Sequence, residues 1–383
     1  MISRAAAATL SDLARSFKVL TITGPRQSGK TTLSRSAFRD KPYVDLEAAD
    51  ERAFALRDPR GFLARFPDGA VLDEVQHVPE LFSYIQVLVD EDNRRGRFVL
   101  TGSQNFALLS KLTQSLAGRV GIVHLLPLAL AELRAARVAA GGIDDLLLRG
   151  LYPALYDTAL GLPSTWYAAY VTTYVERDAR QVTNIHDLAL FQRFLSLCAA
   201  RTGQLLNLAS LASDCGIAQG TARAWLSVLQ ASYIVFLLPP HHENLGKRLV
   251  KSPKLYFHDV GLAAFLIGVQ EPRHMAIHSA RPALFETFVV GEFLKHRFNA
   301  GLRSNLYFWR DNIGTEVDVL VEQPEGLFPI EIKSGYTFQE DFLNALLRFL
   351  GYAGARATGA GLVYGGEDSY VRSGVTVRSW KGV

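Results

Sequence analysis

Short apolar runs alternate with helix-compatible stretches from Lys18 to Val123. Four of these runs end in turn or acidic residues: KVLTIT, PYVDLE, GAVLDE and RFVLTG. Short runs of this kind, separated by helical patterns, are typical of buried strands in a parallel sheet. The pattern therefore predicts a parallel α/β domain over residues 1–125.

The pattern becomes helical and rich in Ala and Leu after this domain, and it predicts a helical lid or linker over residues 126–200. A Gly- and Pro-punctuated stretch, Gly150–Pro163, is expected to act as a joint. Leu205–Phe257 then follow the order helix, turn, helix, strand, basic loop, strand. That order is typical of a winged helix, which we assign to residues 201–270.

The last segment, residues 271–383, begins with a helical pattern over Phe285–Phe298. Three strand-like runs follow, then a helix near Gln339–Leu350 and a strand around Leu362. This αβββαβ order predicts a second α/β domain. The predicted fold class is therefore α/β multidomain.

Composition is that of a globular protein, with 49% hydrophobic and 20% charged residues in 383. The 41 basic against 37 acidic residues allow contact with an anionic polymer without requiring it. Two cysteines are too few for a disulfide framework, which favours a reducing cytoplasm. No apolar run approaches the roughly 20 residues that span a bilayer, so we expect no membrane partner.

The run GPRQSGKT matches G-x-x-x-x-G-K-[ST] between a strand-like and a helix-compatible run, which predicts a phosphate-binding loop for ATP. Lys30 is expected on the β- and γ-phosphates, and the Thr31 hydroxyl on Mg²⁺. Arg26 is expected to be solvated or paired with an acid. The residues assigned to the nucleotide are Gly24, Pro25, Arg26, Gln27, Ser28, Gly29, Lys30, Thr31 and Thr32.

The strand-like run AVLDE ends in two carboxylates, which suits a Mg²⁺ contact at Asp73 and water activation by Glu74. A simple strand-end cap is the alternative. The next strand ends in Ser103 and Gln104, which either reach between the carboxylates and the γ-phosphate or only form a turn. Arg119 is the candidate for an arginine that meets charge on the γ-phosphoryl group, from the same or a neighbouring subunit.

Motifs in the same order along nearly the whole chain resemble the prokaryotic AAA-type ATPases that carry a C-terminal domain of unknown function with a restriction-endonuclease-like fold. They are GPRQSGKTTL, VLDEVQHVPELF, LTGSQNF, SLAGRV, KSPKLYFHDVGLAAFLIG, FETFVVGEFL and EVDVLVE with IEIKSG. The resemblance implies ATP binding and hydrolysis, a winged-helix middle and a PD-(D/E)XK-like end. By analogy with AAA-type proteins it also implies a homo-oligomer in which Arg119 acts in trans.

The helix-turn-helix segment offers few base-reading side chains, so we expect DNA contact without strong sequence specificity. The alternative is a solvated hairpin in a domain used for protein contacts. The basic residues expected on DNA phosphates are Arg223, Lys247, Arg248, Lys251 and Lys254.

The runs TEVDVLVE and LFPIEIK predict a hairpin around the turn Gln323–Gly326, with Glu322 opposite Leu327. The same count places Asp318 opposite Glu331 and Glu316 opposite Lys333. Strict alternation would put these four side chains on one face, and Val317, Val319, Ile330 and Ile332 on the other.

Opposed carboxylates on a sheet need compensation, which a second Mg²⁺ or Mn²⁺ would supply. Asp318, Glu331 and Lys333 match a nuclease-like D…E-x-K pattern, with Glu286 or Glu292 as a fourth member. The alternative is a salt-bridge network in which Lys333 and Glu316 neutralise the cluster.

Together these patterns predict a Mg²⁺-dependent ATPase whose hydrolysis moves the winged-helix and C-terminal domains, on DNA. One alternative is an ATP-gated, metal-dependent DNA nuclease. The other is a nucleotide-dependent protein-interaction switch without nucleic-acid activity.

Overall fold

The computed structural model describes residues 2–103, 116–157, 162–175, 187–241, 252–311 and 313–383. These residues form two compact units. The first consists of the chain up to Leu128 together with Ala231–Tyr233 and Lys295–Arg303. The second consists of Ala129–Gln230, Ile234–Leu294 and Ser304–Val383.

The first unit contains a parallel sheet of five strands in the order β2-β3-β4-β1-β5. The strands are β1 Val19–Thr23, β2 Tyr43–Asp45, β3 Val71–Asp73, β4 Phe98–Gly102 and β5 Val120–His124. The first four are the predicted strands, and the predicted parallel sheet is confirmed. The fifth, VGIVH, was not predicted.

Helices cover both faces of this sheet, as a parallel sheet requires. They are α1 Ala6–Ser16, α2 Lys30–Ala37, α3 Ala49–Arg57, α4 Pro59–Ala64 and α5 Leu81–Asp90, with a 3₁₀ turn at Val75–His77. Leu20 and Ile22 of β1 pack with Leu33 of α2 on one face. Val19 of β1 packs with Ile85 of α5 on the other.

Apart from Ala231 and residues 295–299, which belong to the first unit, the remaining helices belong to the second unit. They are α6 Leu130–Ala135, α7 Ile143–Arg149, α8 Pro163–Tyr170, α9 Leu188–Ala200, α10 Leu208–Cys215, α11 Gln219–Ala231, α12 Val260–Leu266, α13 Pro272–Ile277, α14 Arg281–Asn299 and α15 Asn344–Ala353. Short 3₁₀ or π turns lie at Pro153–Tyr156, Val171–Val175, Glu340–Leu343, Gly354–Arg356 and Trp380–Gly382. Within the described ranges, no helix has the length and apolar character needed to cross a bilayer.

A small antiparallel sheet has the order β6-β8-β7, with β6 directly after α9 and the other two strands after α11. Its strands are β6 Gln204–Leu205, β7 Val235–Leu238 and β8 Lys254–Phe257. Gly216, in the left-handed region at φ 79°, ends α10 and lets the chain turn into α11. The order α10, α11, β7, β8 matches the predicted order, while the winged-helix assignment stays a prediction.

The C-terminal sheet has six strands in the order β13-β14-β12-β11-β10-β9. The strands are β9 Leu306–Arg310, β10 Glu316–Gln323, β11 Gly326–Lys333, β12 Gly361–Tyr364, β13 Tyr370–Arg372 and β14 Val375–Ser379. Leu346 and Phe349 of α15 pack with Trp309 of β9 and Leu320 of β10. From α14 to β12 the elements follow the predicted αβββαβ order, and β13 and β14 extend it.

Candidate functional site

The predicted phosphate-binding loop joins β1 to α2 at the carboxyl edge of the parallel sheet. Gly29 adopts the left-handed region at φ 92°, and Lys30 begins α2. The buried Lys30 Nζ donates to the carbonyl oxygens of Gly24, at 3.1 Å, and Pro25, at 2.8 Å. The ammonium therefore lies against the loop that the motif predicts to hold phosphate.

The remaining loop residues differ in exposure. Ser28 is fully buried, whereas Gln27 and Thr32 are exposed. Arg26 is 8% exposed and lies 3.6 Å from a Glu47 carboxylate oxygen, so its predicted pairing with an acid is observed and solvation is not. Nucleotide contacts of these loop residues stay predictions.

Asp73 at the end of β3 is the meeting point of three hydroxyl groups. Thr31 Oγ1 donates to Asp73 Oδ2 at 2.6 Å, although the two residues are 42 positions apart. The Tyr43 hydroxyl donates to the same oxygen at 2.6 Å, and the Thr101 hydroxyl donates to Oδ1. Burial, together with the bond to Asp73, raises the pKa of Tyr43. The structure thus joins the two residues predicted to bind Mg²⁺.

Glu74 is held differently from Asp73, although the two are adjacent. Its backbone lies in the left-handed region at φ 52°, which is uncommon for a residue with a side chain. The Glu74 N–H donates to Thr101 Oγ1 at 3.2 Å. Glu74 Oε2 accepts from Ser103 Oγ at 3.0 Å and also from Gln76 Nε2. The left-handed turn separates the two carboxylates and gives each its own set of donors.

β4 explains how these groups come together, because it lies between β1 and β3 in the sheet. Its carboxyl end places Thr101 next to Asp73 and Ser103 next to Glu74. The predicted reach of Ser103 to a carboxylate is therefore observed, while its reach to a γ-phosphate stays a prediction. Gln104 lies outside the described residues.

Arg119 lies at the opposite edge of the sheet from the phosphate-binding loop. It immediately precedes β5, and its carbonyl oxygen accepts from the N–H of Val19, the first residue of β1. Its guanidinium Nη2 donates to Asp90 Oδ2 at 2.9 Å. This position does not bring Arg119 to the nucleotide site of its own chain, so the part of the prediction that places it there in cis is wrong. Action in trans stays a prediction.

Both side chains that would hold Mg²⁺ offer oxygen ligands: Thr31 a hydroxyl and Asp73 a carboxylate. Mg²⁺ takes oxygen ligands and keeps several waters, so one carboxylate and one hydroxyl are a sufficient protein contribution. The residues present fit the ion.

The C-terminal hairpin has the predicted register at its turn. Glu322 pairs with Leu327, and Val319 pairs with Ile330. The ladder between β9 and β10 shifts register between Val317 and Leu320, and both residues lie in the same hydrophobic core. Strict alternation is therefore wrong over this stretch, since a register shift of this kind breaks the period of two.

A buried lysine lies among the carboxylates of this hairpin. Lys254 Nζ from β8 is 2.8 Å from Glu286 Oε1, 2.5 Å from Glu316 Oε1 and 3.7 Å from Asp318 Oδ1. Three carboxylates outweigh the opposing effect of burial and raise the pKa of Lys254. Its charge therefore compensates the cluster for which a divalent cation was expected.

Glu331 and Glu286 carry carboxyl groups with pKa values above the ordinary range. Burial is the main cause for both, and the neighbouring Asp318 charge adds to it. Lys333 Nζ is 2.6 Å from Glu331 Oε1, while Asp318 Oδ2 accepts from the Ile332 N–H at 2.8 Å. Among the residues that the structure describes, no group of three or more His, Cys, Asp or Glu side chains is arranged to hold a metal ion.

Two predicted assignments in this region are corrected. Glu292 does not join the cluster, because its Oε2 accepts from the Leu130 N–H at 2.7 Å. Lys254 is 2% exposed and bound to carboxylates, so it does not contact DNA. Arg223 is exposed on α11, as a phosphate contact requires. Lys247, Arg248 and Lys251 lie outside the described residues.

Several side chains in these sites were not predicted from the sequence. Thr101 lies near the carboxyl end of β4, where a polar residue is a usable signal, whereas Tyr43 begins β2 and carries no such signal. The role of Lys254 depends on contacts with α14 and β10 that no local pattern reveals. Arg4, near the N-terminus, donates to the carbonyl of Ser28 in the phosphate-binding loop at 2.5 Å.

Family models match three consecutive parts of the chain. The first, described as an AAA domain, matches residues 16–134. Two models described as domains of unknown function, DUF8612 and DUF4143, match residues 141–273 and 281–381. The first match confirms the predicted AAA-type P-loop ATPase domain, which binds ATP. These descriptions name neither a winged helix nor a nuclease-like fold, which stay predictions.

Two solved structures resemble this chain at low sequence identity. The Walker-type ATPase PABY2304 of Pyrococcus abyssi is 14% identical, with a TM-score of 0.47 over 70% of this chain and 96% of that one. RuvB T158V of Thermotoga maritima is 18% identical, with a TM-score of 0.29 over 61% of this chain and 87% of that one.

Two curated mycobacterial proteins are much closer in sequence. They are Uncharacterized protein Mb2031c of Mycobacterium bovis and Uncharacterized protein Rv2008c of Mycobacterium tuberculosis. Each is 34% identical over 333 residues, which cover 86% of this chain and 73% of the relative. With an AAA-type P-loop ATPase domain at its N-terminal end, the chain belongs to the same family as these two proteins.

Proposed function

We propose that this protein hydrolyses ATP in a Mg²⁺-dependent reaction and uses the cycle to move its middle and C-terminal domains, on DNA. One observation carries the hydrolase proposal: the Thr31 hydroxyl is 2.6 Å from the Asp73 carboxylate. The two side chains belong to separate motifs, and their meeting supports a Mg²⁺–ATP site.

The chain's own groups suit each part of the reaction. Backbone N–H groups of the loop and the amino end of α2 bind the phosphates, and Lys30 supplies a positive charge beside them. Thr31 and Asp73 would hold Mg²⁺, which would supply positive charge to the phosphate oxygens. Glu74 accepts a hydrogen bond from the attacking water and orients it toward the γ-phosphorus. Ser103 and Gln76 hold the Glu74 carboxylate while it does so.

Lys30→Ala tests the hydrolase proposal, because it removes the ammonium beside the loop. We expect ATP binding or turnover to be lost, as measured by nucleotide titration and phosphate release. Lys381→Ala is the matched control, since Lys381 pairs with Glu367 at the surface of the second unit. Turnover that survives Lys30→Ala would refute the assignment.

The position of Lys254 favours the interaction switch over the gated nuclease as the second candidate function. An ammonium 2.5 Å from one carboxylate and 2.8 Å from another already supplies the positive charge that a catalytic metal would bring. Incubation of plasmid with the protein, ATP and Mg²⁺ or Mn²⁺ separates the two. Cleavage that disappears in Asp318→Ala would support the nuclease instead.

Action on DNA is tested by the salt dependence of binding. Phosphate contacts predict that log Kobs falls linearly with log salt, and that charge removal at Arg223, Lys247 and Arg248 weakens binding alike for different sequences. Binding that is absent, or unchanged in these variants, would favour the switch. Assembly into a homo-oligomer with Arg119 acting in trans is part of the same proposal, and sedimentation with and without ATP tests it.

A further inference from the structure

Arg4 lies against the outer side of the phosphate-binding loop. Its Nη1 donates to the Ser28 carbonyl at 2.5 Å, and its Nη2 donates to the Leu126 carbonyl at 2.7 Å. Arg4 is 9% exposed. Arg4 precedes residues 16–134, which the AAA domain model matches, and no loop motif contains it.

The geometry of an anion-binding loop explains why such a donor is needed. When consecutive N–H groups turn toward a phosphate, the carbonyl groups of the same peptides turn away from it. A buried carbonyl without a hydrogen-bond donor costs free energy, so the outward carbonyls stabilise the loop only when they are satisfied. Arg4 satisfies the carbonyl of Ser28, one residue before Gly29.

The second acceptor, the Leu126 carbonyl, belongs to the segment after β5, against which the phosphate-binding loop packs. Leu125, next to Leu126, donates its N–H to the Thr23 carbonyl at 2.7 Å. A Cβ atom on Gly24 would lie 2.1 Å from the Leu125 carbonyl oxygen, so the start of the loop packs directly on this segment. The planar guanidinium holds the two carbonyls in one fixed arrangement, which an ammonium does less well.

α1 fixes the position of Arg4 itself. The Arg4 carbonyl accepts from the Ala7 N–H at 3.1 Å, in the first turn of this helix. Ala6 and Leu10 of α1 are fully buried in the core that contains Leu33 of α2. The guanidinium is thus held by the same packing that positions the helix behind the loop.

We propose that Arg4 is a positioning residue that holds the phosphate-binding loop in the conformation that binds nucleotide. This inference rests on the proposed function. Within the part of the chain that the structure describes, its guanidinium donates to backbone carbonyls of the loop and of the segment after β5, and no bond to Asp73 or Glu74 is found. Arg4 therefore acts on nucleotide affinity and leaves the chemical step unchanged.

The test compares Arg4→Ala with Arg4→Lys in the full chain, using Kd for ATP and for ADP and kcat at saturating ATP. Arg4→Ala should raise both Kd values by the same factor, about tenfold, since a hydrogen bond from a charged group is lost. The kcat should stay within about twofold of the unsubstituted protein. Arg4→Lys keeps the positive charge but loses the planar pair of N–H donors, so its affinity for nucleotide should lie between those of Arg4→Ala and the unsubstituted protein. Arg15→Ala, which removes an exposed arginine of α1, should change neither quantity.

Unchanged Kd values in Arg4→Ala, with or without a lower unfolding temperature, would overturn the inference, and so would a fall in kcat alone. If Arg4→Ala does not fold, an unchanged Kd in Arg4→Lys overturns it, and a raised Kd supports it. If the unsubstituted protein binds ATP but does not hydrolyse it, the proposed function is refuted, while the Kd values of the Arg4 variants still decide the role of Arg4. If the unsubstituted protein binds no nucleotide, both proposals are refuted.

Discussion

At the scale of single residues, Asp73 and Glu74 are neighbours with different environments. Asp73 accepts from Thr31, Tyr43 and Thr101, whereas Glu74 Oε2 accepts from Ser103 and Gln76. Asp73 and Glu74 thus have separate donors, and the left-handed backbone at Glu74 accompanies this separation. Their roles as Mg²⁺ ligand and water-orienting base stay predictions from their order along the chain.

Glu74→Gln should retain ATP binding and lower kcat by about 10²- to 10⁴-fold, since a neutral amide cannot act as the base for water. Phosphate release and nucleotide titration measure the two effects separately. Ser103→Ala is the graded control, because it removes one hydrogen bond from Glu74 and should cost less. A Glu74→Gln protein with undiminished turnover would exclude Glu74 as the base.

The largely buried side chain of His124 should make the folding stability of the first unit depend on pH. Burial lowers its pKa from the ordinary 6.5 to about 4, and its Nδ1 is 2.9 Å from the Tyr233 hydroxyl. The folded state therefore binds fewer protons than the unfolded state between these values, so stability is full above pH 6.5 and falls as pH drops toward 4. The size of this loss is about 3 kcal/mol.

His124→Gln removes the titrating ring, so the unfolding temperature of the variant should depend less on pH between 6.5 and 4. Calorimetry at a series of pH values measures this slope. His274→Gln, at an exposed position of α13, should leave the slope as it was. Equal slopes for His124→Gln and the unsubstituted protein would contradict the prediction.

At the scale of elements, the ends of two helices use the same backbone conformation for different purposes. Gly29 precedes α2 at φ 92°, and Gly216 follows α10 at φ 79°. Both sites leave space for a Cβ atom, since the nearest atom to one at Gly29 is Arg4 Nη1 at 3.6 Å and Gly216 has nothing within 4 Å. Substitution at either position therefore costs backbone strain rather than a clash.

Gly29→Ala should lower the free energy of unfolding by about 1–2 kcal/mol and weaken ATP binding, because relief of the strain moves the loop. Gly216→Ala should lower stability by a similar amount and leave ATP affinity unchanged. Denaturant unfolding and nucleotide titration measure the two quantities. Equal ATP affinity in both variants would mean that the loop tolerates a side chain at Gly29.

The hairpin shows what pattern reasoning at this scale captures. Its register followed from the four-residue turn Gln323–Gly326, because pairing is counted outward from the turn, and Glu322 does face Leu327. The register shift between Val317 and Leu320 could not be counted in this way. It depends on how β9 pairs with β10, and both flanking residues are apolar. The missed strand β5 has the same origin, since VGIVH is defined by its parallel pairing with β1, which is about 100 residues away in the chain.

At the scale of the whole molecule, the first unit contains two segments that lie far along the chain from its sheet. Ala231–Tyr233 and Lys295–Arg303 pack with the first unit although they follow it by many residues in the chain. Tyr233 places its hydroxyl 3.2 Å from Thr23 Oγ1, at the foot of the phosphate-binding loop. A periodicity analysis cannot anticipate a contact between residues 210 positions apart. For the same reason, the sequence pattern did not predict the ion pairs of Lys254 with Glu286 and Glu316.

Lys254 connects distant parts of the second unit, because it lies on β8 while its carboxylate partners lie on α14 and β10. Removal of the ammonium would leave Glu286, Glu316 and Asp318 together without this positive charge. Loss of one partner of a buried ion pair typically costs about 3–5 kcal/mol, whereas an exposed pair contributes about 0–1 kcal/mol. The two lysines of the carboxylate cluster differ in this respect, since the Lys254 side chain is 3% exposed and that of Lys333 is 37% exposed.

Lys254→Met should therefore destabilise the second unit by about 3–5 kcal/mol. Lys333→Met should cost less, since the partly exposed Lys333 ammonium is paired with Glu331 and water can reach it. Denaturant unfolding followed by tryptophan fluorescence measures the loss, since Trp309 is buried in the core of the C-terminal sheet. A small and equal effect of the two substitutions would show that Lys254 does not compensate the cluster. The carboxylates would then have to be neutralised by protons or by a bound cation, and the case for a metal-dependent nuclease would reopen.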